Sequence, residues 1–159
     1  MVAYALSVLG SPRYRLRHQE ALRLDYARLP WPRDTSHFEA AVAVGRAFDA
    51  ALHDAAPAHA EASWQLARGR AADERLDSAA LTFDRARGAL LQSGRALLCG
   101  VAPSCWDARV GQHGLLTSAL AGGPGRVRTV SDLCAALLRA ALWVRAEAQA
   151  DALCAEPEC

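Results

Sequence analysis

The sequence contains no lysine, and all 18 of its basic residues are arginine. This absence excludes a nuclease site of the kind that places clustered acidic side chains beside a lysine. The arginines are nearly balanced by 17 acidic residues, which leaves a formal net charge of +1. Because alanine is also abundant, a GC-rich coding composition explains the arginine content as well as function does. The choice of arginine over lysine matters mainly where the planar guanidinium group donates two hydrogen bonds to a phosphate or a base.

Long apolar runs, aromatic residues and paired cysteines are also scarce. No run approaches the ~18 apolar residues of a membrane-spanning helix, and no charged and then apolar leader opens the chain. Only 6% of the residues are aromatic although 52% are hydrophobic, so we expect a core rich in alanine. Five cysteines without a Cys-x-x-Cys pair favour reduced thiols over a disulfide framework. These features predict a soluble, cytoplasmic protein.

Positive charge is nonetheless concentrated between Ser11 and Arg33. This stretch holds six arginines against Glu20 and Asp25, which gives it a local charge of +4. The arginines are Arg13, Arg15, Arg17, Arg23, Arg28 and Arg33. Nucleic-acid binding draws much of its affinity from neutralised phosphates, so the stretch is a candidate binding surface. An ordinary solvated helix face is the alternative interpretation of the same charge.

Local signals at the start of this stretch predict a helical corner. Gly10 can end a helix over residues 2–9, Ser11 can cap the next helix, and Pro12 suits its first position. That next helix is predicted over residues 12–24. Its inward-facing residues are predicted to be Tyr14, Ala21 and Leu24.

A third helix is predicted over residues 37–53. Ser36 and Glu39 have the spacing of a capping box, and the preceding Leu-Pro-Trp-Pro segment at 29–32 favours extended backbone. The apolar positions repeat with a helical period and are Phe38, Val42, Gly45, Phe48 and Leu52. Gly45 within this face is expected to permit close approach by another helix.

The second half of the chain predicts a small sheet. Residues 54–78 indicate a surface connection that is anchored by Trp64 and carries a short helix across residues 59–67. Three short apolar segments separated by turns then predict antiparallel strands between residues 79 and 111. The predicted strands are 81–84, 89–91 and 96–101.

A final helix is predicted to begin after Thr129 or Ser131, where a hydroxyl can cap it, and to run to about Leu153. Asp132 favours its first turn through the helix dipole. The elements together predict an α+β fold that is mostly helical, with a small antiparallel sheet in the second half. Within one domain over 1–159, the predicted subregions are a helical basic part (1–55), a linker (56–78), a sheet with turns (79–128) and the last helix (129–154).

Three motifs in this order resemble a known family. Residues 4–15 read Tyr-Ala-Leu-Ser-Val-Leu-Gly-Ser-Pro-Arg-Tyr-Arg, and residues 25–32 read Asp-Tyr-Ala-Arg-Leu-Pro-Trp-Pro. Residues 100–111 read Gly-Val-Ala-Pro-Ser-Cys-Trp-Asp-Ala-Arg-Val-Gly. They are similar to the C-terminal target-recognition region of type ISP and type IIG restriction–modification enzymes, large chains that methylate adenine in DNA. The family usually has a histidine where this chain has Gly10, and Gly-Tyr in place of Gln112 and His113.

The resemblance implies a DNA-binding specificity module whose partner is double-stranded DNA. It implies that the catalytic domain, with its S-adenosylmethionine, belongs to a separate methyltransferase or translocase chain or to a missing N-terminal portion. The sequence agrees, because it has neither an Asn-Pro-Pro-Tyr motif nor a glycine loop between a strand and a helix. We therefore expect no catalysis and no cofactor in this chain itself.

The resemblance and the arginine distribution together suggest the residues that contact DNA. The candidates are Arg13, Tyr14, Arg15, Arg17, Arg109, His113, Arg126 and Arg128. The first four lie at a helix start, where main-chain N–H groups also favour phosphate. The last two lie beside a Gly-Pro-Gly turn.

The sequence also allows two other interpretations, a metal site and a protein-interaction module. Cys99, Cys105 and His113 lie close in the chain, but their spacing matches no familiar zinc signature, so no metal site is predicted. A degenerate module that pairs with a protein through an alanine-rich helical surface, without binding DNA, remains the alternative function.

Overall fold

The computed structural model describes residues 1–24, 29–53, 63–121 and 127–155. The helices are α1 (Val2–Gly10), α2 (Pro12–Arg17), α3 (Gln19–Leu24), α4 (Thr35–His53), α5 (Pro103–Asp107), α6 (Leu115–Leu120) and α7 (Val130–Leu153). The strands are β1 (Gln65–Leu66), β2 (Leu81–Asp84), β3 (Ala89–Gln92), β4 (Arg95–Cys99), β5 (Arg109–Val110) and β6 (His113–Gly114). Helices predominate, and the largest sheet within the described part has four antiparallel strands. The predicted α+β class is confirmed.

The chain divides into two compact units. Unit 1 comprises Met1–Asp54 and Leu142–Cys159, and unit 2 comprises Ala55–Ala141. Helix α7 therefore contributes its beginning to unit 2 and its end to unit 1. Residues far apart in the sequence consequently meet in unit 1.

The predicted corner between the first two helices is present in unit 1. Helix α1 ends at Gly10, and the hydroxyl oxygen of Ser11 accepts a hydrogen bond from the main-chain N–H of Tyr14 at 3.1 Å. Pro12 occupies the first position of α2, where its missing N–H costs nothing. Both helix boundaries thus follow from local backbone chemistry.

The continuous helix predicted over residues 12–24 is wrong. It is interrupted at His18, whose backbone leaves the helical region with φ −108° and ψ 19°. Tyr14 is buried as predicted, but Ala21 is exposed and Leu24 is 85% exposed. Because the helix breaks at His18, the residues after it do not continue the buried face that one long helix would have. Leu22 packs against the core in place of Ala21 and Leu24.

Helix α4 begins earlier than predicted. It starts at Thr35, and the cap is Asp34, whose Oδ1 accepts the N–H of His37 at 2.7 Å. The predicted capping box of Ser36 and Glu39 therefore does not mark the helix start. The buried face consists of Ala41, Val44, Gly45, Phe48 and Ala51. Ala41 and Ala51 belong to this face, whereas the predicted Leu52 is 38% exposed.

Two glycines allow tight packing in unit 1. A Cβ atom at Gly45 would overlap the main-chain carbonyl of Ala3, so the predicted close approach of another helix is confirmed, and that helix is α1. A Cβ atom at Gly10 would overlap the ring of Phe48. The Phe48 ring is 1% exposed and packs edge-on against Trp143, with centroids 4.7 Å apart.

Unit 2 contains the four-stranded sheet in the order β1, β4, β3, β2. The three predicted strands are present as β2, β3 and β4. Residues 65–66 pair with β4 as the edge strand β1, so the predicted helix across 59–67 is wrong for its described part, and residues 59–62 lie outside the described residues. Trp64 is buried as the expected anchor of this segment, at 6% exposure.

Tight turns fix the register of the sheet. Ser93 and Gly94 both have positive φ, at 51° and 76°, which is the conformation of a two-residue type I′ hairpin. This turn pairs Gln92 with Arg95 and Leu91 with Ala96. A register shift between Leu90 and Leu91 then places Leu90 opposite Leu98, and both side chains are fully buried. The ring of Phe83 on β2 stacks on Trp106 of α5, with centroids 5.2 Å apart.

Helix α7 begins with a reciprocal cap. The hydroxyl oxygen of Thr129 accepts the N–H of Asp132 at 3.2 Å, and Asp132 Oδ2 accepts the N–H of Thr129 at 3.0 Å. These are the two hydrogen bonds of a capping box. Of the two predicted caps, Thr129 is the one that forms.

Candidate nucleic-acid interface

The arginine-rich helix α2 in unit 1 is only six residues long. Its arginines are Arg13, Arg15 and Arg17. Arg13 and Arg17 are exposed, whereas Arg15 is half-buried. Two of these three predicted contact residues therefore lie at the surface of unit 1.

A carboxylate of the protein already occupies the N-terminus of α2. Asp151 Oδ1, near the end of α7, accepts the hydroxyl proton of Ser11 at 2.5 Å and the main-chain N–H of Arg13 at 2.9 Å. An anion at this place is stabilised by the free N–H groups and by the helix dipole. The main-chain N–H of Arg13 is therefore already bonded to Asp151, and that of Tyr14 is bonded to Ser11. Phosphate binding at the start of α2 stays a prediction.

Arg15 is neutralised within the same unit. Its Nη2 lies 3.0 Å from Oε1 of Glu147, and the two side chains are 35% and 19% exposed. A partly buried pair of this kind is held more firmly than a fully exposed one. This ion pair makes Arg15 less available to a phosphate than an unpaired arginine would be.

Tyr14 faces the interior of unit 1. Its side chain is 3% exposed and belongs to the core cluster with Tyr4, Val8 and Ala41. Its ring lies 4.5 Å from the ring of His18, measured between centroids. Burial raises the pKa of Tyr14, with a smaller contribution from the Cys154 thiol. In this arrangement the Tyr14 side chain presents almost no surface to a ligand.

In unit 2, Arg109 and His113 lie on the short ribbon of β5 and β6. Arg109 is opposite Gly114, and Val110 is opposite His113. Gly111 has φ 60° and allows the chain to reverse between the two strands. Arg109 and His113 are both exposed, and the alternation of side chains along strands directs them to different faces of the ribbon.

Two further arginines of unit 2 lie on the turn between β2 and β3. Arg85 makes a forked pair with Asp107, at 2.7 Å and 2.6 Å, and Arg87 lies 3.7 Å from Asp84. The hydrogen bond from Arg85 lowers the pKa of Asp107, and the charges of Arg85 and Arg109 act in the same direction. The forked pair brings this turn beside the segment that leads to Arg109. The sequence shows that the turn is basic, but it does not show that Asp107 lies beside the turn.

Arg128 lies at a cavity of unit 2, and Arg126 lies outside the described residues. The cavity has a volume of about 430 Å³. Its lining residues are Arg75, Leu76, Ser78, Val127, Arg128 and Thr129. Sequence reasoning missed Arg75, because nothing in the predicted linker indicated that it pairs with the start of α7.

The cysteines do not assemble a metal centre with other residues that the structure describes. No group of three or more histidine, cysteine, aspartate or glutamate side chains in that part is placed to hold a metal ion. Cys99 is exposed on β4, and Cys105 is buried in α5, where burial raises its pKa. Burial raises the pKa of Cys134 on α7, and a hydrogen bond that the indole N–H of Trp64 donates to its sulfur opposes this rise.

The described helices also bear on membrane association. None of them combines the length and the apolar character that crossing a bilayer requires. The longest, α7, has 24 residues and alternates buried alanines with charged side chains.

Comparison with protein-family models identifies a family. Residues 1–116 match the model of the type ISP C-terminal specificity domain. The chain belongs to this family. Comparisons with curated proteins and with solved structures gave no match. Membership of this family supports a role in target recognition within a restriction–modification system.

The matched segment includes most of the candidate contacts. It covers the whole of α1 to α4, the four-stranded sheet and the ribbon that carries Arg109 and His113. Arg126, Arg128 and α7 lie beyond it. The type ISP resemblance that the sequence motifs suggested is therefore confirmed over residues 1–116.

Proposed function

We propose that the chain is a DNA-binding specificity module of a restriction–modification system that modifies adenine. The observation that carries this proposal is membership of the type ISP specificity domain family over residues 1–116. In this proposal the chain holds double-stranded DNA for a methyltransferase. The catalytic domain and its S-adenosylmethionine belong to another part of the enzyme or to a separate methyltransferase or translocase chain.

The exposed arginines supply the affinity. Arg13 and Arg17 in unit 1, and Arg109 and Arg128 in unit 2, are exposed to solvent. Arginine suits this role, because its planar fork can donate two hydrogen bonds to one phosphate or to one guanine edge. We propose these four side chains as the main contacts. Arg15 and Tyr14 have smaller roles, because the first is ion-paired and the second is buried.

Fluorescence anisotropy with labelled duplex DNA at several salt concentrations tests this function. When binding depends on phosphate neutralisation, the logarithm of the association constant falls linearly with the logarithm of the salt concentration. The slope is about −0.9 for each phosphate contact. Changing Arg13, Arg17 or Arg109 to Gln should each reduce this slope by about 1. Arg46→Gln, which removes an exposed arginine from α4, is the matched control.

Selection of binding sites from a pool of duplexes with a randomised segment then tests specificity. A specificity module should enrich one short sequence, whereas a merely basic surface retains all sequences equally. Absence of binding to duplex DNA at low salt would contradict the proposal.

A protein-interaction module is the second candidate function. Asp151 and Glu147 offset the positive charge of α2, and large apolar side chains of the same unit are exposed. Examples are Leu16, Leu24 and Trp31, at 76%, 85% and 88% exposure. If the chain fails to bind DNA at low salt, these apolar side chains favour a protein partner, since exposed apolar surface can mark an interaction site.

A further inference from the structure

Trp31 carries the most exposed of the large apolar side chains in the part of the chain that the structure describes. It is 88% exposed, whereas Trp64 and Trp143 are 6% and 5% exposed. A single exposed apolar residue is ordinary at a protein surface. Trp31 differs from such a residue in the way that its backbone is held.

The segment before Trp31 is anchored to the core of unit 1. Leu29 packs against the core cluster that contains Tyr4, and the Tyr4 hydroxyl donates a hydrogen bond to the carbonyl of Pro30 at 2.6 Å. This oxygen belongs to the peptide group that joins Pro30 to Trp31. The hydrogen bond therefore fixes the backbone directly beside the indole.

The segment after Trp31 is restrained as well. The ring of Pro32 restricts its own φ and favours extended backbone at Trp31. Asp34 then accepts the N–H of His37 and caps α4. The backbone of Trp31 is thus ordered before any ligand binds, and only the two side-chain torsions of the indole remain to be fixed. Such preorganisation lowers the ordering cost of binding.

The neighbours of Trp31 along the chain favour a nucleobase over a protein as its ligand. Residues 33–36 are polar and exposed, so this segment lacks the apolar core of a protein interface. Unit 1 also carries the exposed Arg13 and Arg17 on α2. Proteins hold unpaired bases with this combination of positive charge and an aromatic ring, because every base has a flat face on which the ring can stack.

Base faces are accessible only where a duplex is opened. In an intact duplex neighbouring base pairs cover the faces, and the grooves display only the base edges. An enzyme that modifies a base turns that base out of the stack, which exposes base faces at the opened position. A residue that stacks on a base therefore acts at this position.

We propose that the indole of Trp31 stacks on an unpaired nucleobase where the duplex opens around the adenine to be modified. This inference rests on the proposed function, because adenine modification is what opens the duplex. The stack holds the opened duplex in place and involves no phosphate. Trp31 therefore adds affinity for opened DNA without adding to the salt dependence, unlike an arginine contact.

Fluorescence anisotropy with two duplexes tests the stack. The duplexes have the same sequence, except that one carries an additional, unpaired adenine. Trp31→Ala should bind the duplex with the unpaired adenine about 5- to 150-fold more weakly than the wild type does, as expected for the loss of a base–aromatic stack. Its salt slope should equal that of the wild type, because the indole neutralises no phosphate. Its binding to the fully paired duplex should change much less.

Further variants separate stacking from a general apolar contact. Trp31→Phe keeps an aromatic face and should retain most of the affinity, whereas Trp31→Leu should behave like Trp31→Ala. Equal binding by the Phe and Leu variants would overturn the stack. Leu24→Ala is the matched control, because Leu24 is 85% exposed in the same unit. Circular dichroism melting curves check that each variant is folded.

Acrylamide quenching reports on the indole itself. The duplex with the unpaired adenine should protect the readily quenched tryptophan emission of the wild type, and the fully paired duplex should protect it less. Trp31→Phe gives the emission of the other tryptophans as background. Equal protection by both duplexes would contradict stacking on an unpaired base.

The outcomes distinguish the stack from the proposed function. If the wild type binds both duplexes and Trp31→Ala binds each of them equally well, the stack is overturned and the proposed function stands. If the wild type binds neither duplex at low salt, both are overturned. A Trp31→Ala variant that binds both duplexes normally but no longer copurifies with a methyltransferase chain would assign Trp31 to a protein contact and would also overturn the stack.

Discussion

The carboxylate of Asp151 lies at the start of α2, where it accepts the hydroxyl proton of Ser11 at 2.5 Å. The same oxygen accepts the main-chain N–H of Arg13. One acidic side chain near the end of α7 therefore fixes the N-terminus of a helix near the beginning of the chain. It also places a negative charge beside the arginines that the sequence suggested for phosphate binding.

Asp151→Asn should lower stability and raise DNA affinity. Asparagine keeps an acceptor oxygen but loses the charge, and hydrogen bonds to charged groups are stronger by about 1 kcal/mol, so unfolding free energy should fall by roughly that amount. Removing a negative charge beside Arg13 should strengthen duplex binding at low salt, and the gain should fade as salt screens it. Urea denaturation and anisotropy measure the two effects.

Glu39→Gln provides the control for charge, because Glu39 is exposed on α4 of the same unit. It should leave stability within about 0.5 kcal/mol, as surface substitutions usually do. An equal gain in affinity for both variants would show that net charge alone, and not the position of Asp151, controls binding.

Gly45→Ala should destabilise unit 1. Alanine is the better helix former by about 1 kcal/mol, but its methyl group would overlap the main-chain carbonyl of Ala3. Because main-chain atoms of α1 cannot rotate away, α1 must shift, and overpacking of this kind typically costs about 1–3 kcal/mol. The urea midpoint should fall for Gly45→Ala and stay nearly constant for Arg46→Ala on the exposed side of α4. A stabilised Gly45→Ala variant would contradict the close packing of α1 on α4.

The cap of α7 should make stability depend on pH. The main-chain N–H of Arg128, the Thr129 hydroxyl and the N–H of Thr129 lower the pKa of Asp132. A carboxyl group whose pKa is lower in the folded state contributes stability above its unfolded pKa of about 4. That contribution is lost as the pH falls through the folded pKa. Thr129→Ala should cost about 1 kcal/mol at neutral pH, as the loss of a helix cap usually does.

Asp132→Asn tests the charge in this cap. Its difference in unfolding free energy from the wild type should be largest near neutral pH. The difference should shrink as the pH is lowered below about 4, where Asp132 itself becomes protonated. Urea denaturation at pH 7, 5 and 3 measures the trend. A difference that is constant over this range would exclude the ionised carboxylate as the stabilising group.

Tryptophan fluorescence should separate Trp31 from the other three tryptophans. Trp31 is 88% exposed, whereas Trp64 and Trp143 are 6% and 5% exposed, and Trp106 is partly buried against Phe83. Acrylamide should therefore quench mainly the emission of Trp31, and Trp31→Phe should remove most of the readily quenched component. Trp106→Phe is the comparison, and equal quenching of both variants would contradict the exposure of Trp31.

Sequence reasoning succeeded where the structure depends on neighbouring residues. The Gly10-Ser11-Pro12 corner, the Ser93-Gly94 turn and the cap at Thr129 each follow from the preferences of two to four adjacent positions. The family resemblance could also be recognised, because its motifs are contiguous. These features placed most of the helices and three strands of the sheet.

The sequence could not show which distant segments meet. The pair of Arg15 and Glu147 joins positions 132 residues apart, and that of Ser11 and Asp151 joins positions 140 residues apart. Charge patterns along one helix give no sign of such partners, so Arg15 and the start of α2 looked available to DNA. Strand β1 was missed for the same reason, because two residues become a strand only through pairing with β4.

The ring of Phe48 fills the space above Gly10 that a larger residue would need. The two positions therefore form a compensating pair. A histidine at position 10, which the family usually has, should be compatible with this fold only if position 48 carries a much smaller side chain. Exchange of both residues together should restore a folded protein that the histidine alone would disrupt, so each position limits the substitutions open to the other during evolution.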